Sequence, residues 1–184
     1  MRLFIAIDLT DEMRKKIIEI KKKLTSGEFD VKFVEPENLH ITLKFLGDVE
    51  EDKIGYIYSV LENVSKKFKG FNVEIKGLGY FGSSKFIRVI WLGIEKGCSE
   101  IVSISEQLEK ELGFLRKNEF KTHSPHITIG RVKSGRNKDK LLRCIEELKD
   151  VNLGEMNVNV IKLKESILTK KGPIYSDLKS FKLS

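Results

Sequence analysis

The segment Asn38–Gly47 reads NLHITLKFLG, and the segment Ser124–Lys133 reads SPHITIGRVK. Each opens a strand-like run with His-Ile-Thr and an aliphatic residue, and the two runs lie in opposite halves of the chain. The sequence holds only three histidines in 184 residues, so two of the three stand at the same point of a repeated pattern. A strand alternates its side chains with period 2. His40, Thr42 and Lys44 are therefore expected on one face, with Ile41, Leu43 and Phe45 on the other. In the second copy His126 and Thr128 share a face, opposed by Ile127 and Ile129. Each strand offers an imidazole and a hydroxyl on one side and an aliphatic anchor on the other.

Working outward, the first copy is preceded by a strand at Arg2–Leu9 and by a helix from Thr10 to about Lys23. Thr10 suits the N-cap, and Met13, Ile17, Ile20 and Leu24 form the apolar stripe. A short strand near Lys32–Val34 leads through the turn Glu35–Asn38 into the first motif. Ile54, Tyr58, Leu61 and Phe68 mark a second helix, and Phe71–Lys76 and Phe86–Ile94 read as strands. A helix over Ser99–Leu112 precedes the second motif, and Leu141, Ile145 and Leu148 mark a fourth helix. Three strands end the chain, near Met156–Val160, Leu163–Thr169 and Ile174–Phe181. Strands neighbour strands as well as helices, which favours an α+β fold over a doubly wound parallel sheet. The repeated order of strand, motif and helix predicts two similar lobes within a single bilobal domain, 1–184.

Apolar residues make up 40% of the chain and charged residues 33%, enough for a core under a charged surface. No run approaches the ~20 apolar residues of a membrane span. The start, MRLFIAIDLTDE, reads as a first strand rather than a signal peptide. Cys98 and Cys144 are isolated and form no metal or redox spacing, which fits a cytoplasmic protein. A net charge of +7 and a pI near 9.3 favour a polyanionic partner, nucleic acid above all.

GLGYFG at Gly77–Gly82 matches the glycine pattern of dinucleotide-binding loops. That pattern binds pyrophosphate only where a helix follows. Here FIRVIWLGI follows, which is strand-like, so the glycines are expected to link two antiparallel strands.

If the two motif strands lie side by side across a cleft, two imidazoles and two hydroxyls converge. One neutral and one protonated imidazole make a general base and a general acid near neutral pH. Flanking hydroxyls and a cation bind a tetrahedral anion, and the set suits in-line displacement at phosphorus. A lone His-x-Thr is usually structural, and it is the duplication that favours chemistry. Zinc would need a third and usually a fourth ligand. Only His123 lies near ligand spacing, and it sits ahead of Pro125 on a turn, expected to face solvent. No metal and no cofactor are expected.

The paired motifs resemble those of the two-histidine (2H) phosphoesterases, in the branch of RNA 2′,3′-cyclic phosphodiesterases also called 2′-5′ RNA ligases. MRLFIAIDL, VKFVEPENLHITLKFLGDV, GLGYFGSSKFIRVIWLGI, HSPHITIGRVK and ESILTKKGPIYSDLKSF each resemble a block of that branch, although Phe33 stands where tryptophan is expected. The resemblance implies a bilobal α+β fold, with two antiparallel sheets related by a pseudo-twofold axis, helices on the outer faces and the active site between the lobes. It implies His40 as proton donor and His126 as proton acceptor, with Thr42, Thr128 and Arg131 holding the phosphate. Strict alternation puts Arg131 opposite His126, a conflict that a long side chain at a twisting strand end relieves. Lys44 is expected as a solvated lysine at the rim.

The expected activity is metal-independent hydrolysis of an RNA 2′,3′-cyclic phosphate end to a 2′-phosphomonoester. Alternatives are 2′-5′ ligation of RNA halves, hydrolysis of a small cyclic nucleotide and, outside enzymes, an RNA-binding module with a dead site, which two intact motifs disfavour. RNA with a cyclic phosphate end is the expected partner, with no membrane and a monomer as the default.

Overall fold

The computed structural model describes residues 1–116 and 124–184, so His123 lies outside the described residues. The chain runs β1 (Arg2–Asp8), α1 (Asp11–Thr25), β2 (Val31–Phe33), β3 (His40–Asp48), α2 (Glu51–Lys67), β4 (Phe71–Gly82) and β5 (Ile87–Ile94). It continues α3 (Cys98–Leu112), β6 (His126–Val132), α4 (Lys138–Glu147), β7 (Asn152–Val158), β8 (Val160–Thr169) and β9 (Gly172–Lys182). Two antiparallel sheets result, ordered β3-β1-β8-β9 and β2-β6-β5-β4-β7. This is the expected α+β architecture, with one motif strand in each sheet.

The helices interlock the sheets. α2 and α3 pack against β9 and β3 of the four-stranded sheet, while α1 and α4 pack against β7 and β4 of the five-stranded sheet. So α1, which follows a strand of one sheet, covers the other, and α3 does the reverse. Thr10 caps α1 as expected, its hydroxyl accepting from the Met13 N–H at 3.2 Å. Met13, Ile17, Ile20 and Leu24 are the buried stripe, and Lys16 donates to the Leu153 carbonyl at 2.9 Å. One contiguous hydrophobic cluster takes in residues of both sheets, including Ile41 and Ile127 behind the two motif histidines.

The glycine-rich segment differs from its expectation. Gly77–Gly82 lies inside β4, and the link to β5 is the short turn that follows. Leu78 is buried in the core while Gly79 faces the Trp91 ring, whose Cη2 stands 2.4 Å from where a Cβ would be. The glycine admits an aromatic side chain against the sheet, and no helix follows to receive a pyrophosphate.

Candidate active site

Both motif strands carry a register break at the fourth residue of the motif. On β3, Thr42 faces Ala6 and Lys44 faces Ile5, leaving Leu43 without a partner. On β6, Thr128 faces Trp91 and Gly130 faces Ile90, leaving Ile129 without a partner. Each is a β-bulge, and a bulge reverses the alternation beyond it.

That reversal corrects three expectations. Arg131 faces Val89, in phase with Trp91, so it shares the face of His126 and Thr128 and needs no contorted reach. Lys44 is not a solvated rim lysine. It turns to the helix side, where its side chain is 0% exposed, paired with Glu109 of α3 and donating to the Arg116 carbonyl at 2.8 Å. Phe45 takes the opposite course, facing Phe4 on the His40 side and standing 52% exposed. Phe45 and Arg131 thus occupy equivalent places, five residues after each histidine. Gly130, the counterpart of Lys44, has Val31 Cγ1 only 2.7 Å from the position of an added Cβ.

The histidines are held alike. His40 Nδ1 lies 2.7 Å from the Asn38 carbonyl oxygen, and His126 Nδ1 lies 2.9 Å from the Ser124 carbonyl oxygen. A carbonyl only accepts, so Nδ1 carries the hydrogen in both rings and Nε2 is the nitrogen left for proton exchange. His40 Nε2 is 2.9 Å from the Thr42 hydroxyl. The Asn38 side chain donates to the Pro173 carbonyl at 3.1 Å, tying the β8–β9 hairpin to the turn that orients His40.

Aromatic rings wall both imidazoles. Phe4 lies 5.2 Å and Tyr175 lies 5.5 Å from the His40 ring, the latter edge-on. Phe81 meets the His126 ring edge-on at 4.9 Å, with Trp91 at 6.5 Å. Asp8, facing His40 across the ladder, joins Lys162, Lys164 and Asp177 in a four-charge square with contacts of 2.7–2.8 Å. Burial raises the affinity of Asp8 for a proton, but hydrogen bonds from Lys162 and Lys164 outweigh it and hold the carboxyl below its ordinary range.

Burial pushes the His40 pKa below its ordinary value of 6.5. The Asn38 hydrogen bond and Asp8 oppose the shift, and the charges of Lys164 and His126 add to it. That His40 feels His126 places the two rings at one site, as does the approach of β3 to β6. Burial raises the Tyr175 pKa, tempered by the charges of Arg131, Arg2 and Lys164, so the phenol stays a neutral donor among cations.

A titration follows from the sign of the His40 shift. In the free protein the His40 Cε1–H resonance is expected to titrate with a midpoint below 6.5, and to move upward when inorganic phosphate binds, because an anion favours the imidazolium. Between the folded value and 6.5 the unfolded chain binds the proton more readily. His40 therefore contributes stability that is complete above about 6.5 and is lost as pH falls toward the folded value. His40→Gln should flatten that part of the stability curve. A midpoint at or above 6.5 in the free protein would contradict this description of the pocket.

The structure therefore puts His40 and Thr42 on one face of β3, and His126, Thr128 and Arg131 on one face of β6, with β3 and β6 close to each other. Sequence pattern does not reveal Phe4, Tyr175, Phe81, Trp91 or the charge square, which arrive from strands distant in sequence. The isolated Gly130 within a strand run is the one local sign of a bulge. Among the described residues no cluster of three His, Cys, Asp or Glu side chains is placed to hold a metal ion.

Known proteins share this chain's sequence and shape along its whole length. The family described as LigT like Phosphoesterase matches twice in tandem, over residues 7–91 and 92–175. The chain is 41% identical over 183 residues to an RNA 2′,3′-cyclic phosphodiesterase of Methanothermobacter thermautotrophicus, covering 100% of this chain and 99% of that protein. It is 43% identical over 185 residues to the protein of the same name from Archaeoglobus fulgidus, covering 98% and 99%. Among solved structures, a Thermus thermophilus protein matches with a TM-score of 0.83 at 28% identity, over 100% of this chain and 98% of that one. Escherichia coli LigT in its apo form matches with a TM-score of 0.79 at 27% identity, over 100% and 97%. Duplicated motif strands, tandem matches and full-length relatives agree, and the chain belongs to the LigT-like phosphoesterase family.

Proposed function

We propose that the protein is an RNA 2′,3′-cyclic phosphodiesterase that opens a terminal cyclic phosphate to a 2′-phosphomonoester by paired acid–base catalysis. The observation that carries this is the matched pair of Nδ1–carbonyl bonds, which makes Nε2 the proton-exchanging nitrogen of each ring at one cleft. The names of the full-length relatives supply the substrate class. It acts as one bilobal unit, a monomer in the cytoplasm; no helix among the described residues is long and apolar enough to cross a membrane.

His126 Nε2 takes a proton from water, whose oxygen forms the new bond to phosphorus. The bond from phosphorus to the 3′ oxygen breaks, and protonated His40 gives that oxygen its proton. Thr42, Thr128 and Arg131 hold the non-bridging oxygens as charge develops on them. The lowered proton affinity of His40 in the free protein makes its imidazolium a ready donor, and the bound phosphate supplies the negative charge that keeps it protonated until transfer.

The test is incubation with an oligonucleotide ending in a 2′,3′-cyclic phosphate, followed by mass and linkage analysis. The expected product has gained one water and carries a 2′-phosphate. An unchanged end, or a 3′-phosphate, would sink the proposal. Activity is expected to survive EDTA, because the cation at the phosphate is Arg131. Activity abolished by EDTA and restored by a single divalent ion would replace the two-histidine scheme.

A further inference from the structure

A second concave surface lies at the far end of β6, outside the cleft. It is a shallow depression lined by Lys85, Phe86, Ile87, Val132, Lys138 and Leu141, with Ser134 and Gly135 at its edge. Ile87 and Leu141 are its buried apolar floor, while Phe86, on the β4–β5 turn, stands 61% exposed. Its exposed Phe86 ring can take a single flat ring stacked on its open face.

The charge around it is lopsided. Lys85, Lys133, Arg136, Lys138 and Lys140 gather on the turn, the segment after β6 and the first turn of α4. None of the five forms an ion pair with a described residue. The acids nearby are Asp139 and the Glu28–Asp30 loop, which is joined to this region by Asn137 and by the Lys133 N–H. The cations outnumber them.

The surface also lies close to the catalytic cleft, across the end of β6. Arg131 faces the cleft, and Val132, the next residue, turns to the opposite face of β6 and lines the second surface, so an RNA reaches it by passing over the end of the strand. From Thr128 to Val132 is four residues of strand, about 13 Å at ~3.3 Å per residue. A 2′,3′-cyclic phosphate ends the RNA chain, so the rest of the strand leaves the cleft in one direction only. An exposed aromatic ring beside a row of cations is the way proteins hold single-stranded nucleic acid without reading its sequence, by stacking and by neutralising phosphates.

We infer that the Phe86 surface and the Lys133–Lys140 segment form a second RNA-binding subsite, which takes a base and backbone phosphates a few nucleotides upstream of the cyclic phosphate. This rests on the proposed function for the identity of the polymer. A mononucleotide cannot reach the subsite, whereas a longer RNA spans both.

The variants are Phe86→Ala and the double change Lys85→Glu/Lys138→Glu, with Lys170→Glu/Lys171→Glu at the β8–β9 turn as the control for the opposite exit. Two readouts separate the claims. One is the fluorescence anisotropy of a labelled RNA of about ten nucleotides ending in a 2′-phosphate, within the usual site sizes of single-strand binders. The other is hydrolysis of a mononucleotide 2′,3′-cyclic phosphate. Phe86→Ala and the Lys85/Lys138 variant should each weaken RNA binding at least about fivefold. The double variant should also reduce the slope of log Kd against log salt by about 1.4, at ~0.7 per lost phosphate contact. Mononucleotide hydrolysis should be unchanged in both. RNA binding within twofold of the parent protein overturns the subsite, as does an equal loss on the mononucleotide, or a loss seen only in the Lys170/Lys171 variant. Failure of the parent protein to hydrolyse any cyclic phosphate would sink the proposed function instead, and the binding measurements would still decide the subsite.

Discussion

His40→Ala and His126→Ala are each expected to lower kcat on a cyclic-phosphate RNA by about 10²–10⁴-fold, the range for a positioned acid or base. The expectation rests on orientation. Each ring is fixed through Nδ1 and walled by aromatic side chains, so neither imidazole is free to be replaced by a neighbour. The double variant should lose much less than the product of the single losses, because acid and base act in one transition state. Thermal melts run alongside the kinetics separate chemistry from folding. A single-digit loss at either position, with the fold intact, would reduce that histidine to a structural role.

Lys44→Met is expected to have the largest effect on stability, lowering it by about 3 kcal/mol. The Lys44 side chain is 0% exposed, whereas Glu109 is 27% exposed and keeps some access to water. The loss should therefore lie at the lower end of the ~3–5 kcal/mol seen when one partner of a buried pair is removed. Exposed pairs such as Arg14 with Asp11 belong to the class worth about 0–1 kcal/mol. Lys44 also holds the Arg116 carbonyl, so it ties the first motif strand to α3 and to the end of the segment that follows it. A denaturation midpoint corresponding to a loss below about 1 kcal/mol would show that the pair adds little beyond an exposed one.

Much of this site is legible in two strings of ten residues, and the limit of legibility falls at the bulges. Period-2 alternation places His40 with Thr42 and His126 with Thr128, because both pairs precede the register break. Beyond it the same rule sends Lys44, Phe45 and Arg131 to the wrong faces. In β6 a glycine marks the irregularity. In β3 the sequence Leu43-Lys44-Phe45 offers no mark, because the bulge is set by pairing with β1 and by Glu109 waiting on α3. The stripe of α1 is read down to each buried residue, whereas α2 buries Ile57, Val60, Leu61 and Val64, of which the expected stripe held only Leu61. The glycine-rich strand is not legible locally, since the space its Gly79 makes belongs to Trp91 on another strand. Tyr175 and Phe4 reach His40 from opposite ends of the chain, and no local pattern announces such a meeting.

The central claim is that one imidazole gives a proton to the leaving oxygen while the other takes one from water. Replacing the bridging 3′ oxygen of the substrate by sulfur tests it most directly. A thiolate is a far weaker base than an alkoxide and departs without a proton. The thio substrate should therefore restore most of the activity lost in His40→Ala. It should leave His126→Ala as impaired as before, since the group missing there is the base that activates water. Rescue of His126→Ala instead, of both variants or of neither would contradict the assignment of His40 as donor and His126 as acceptor.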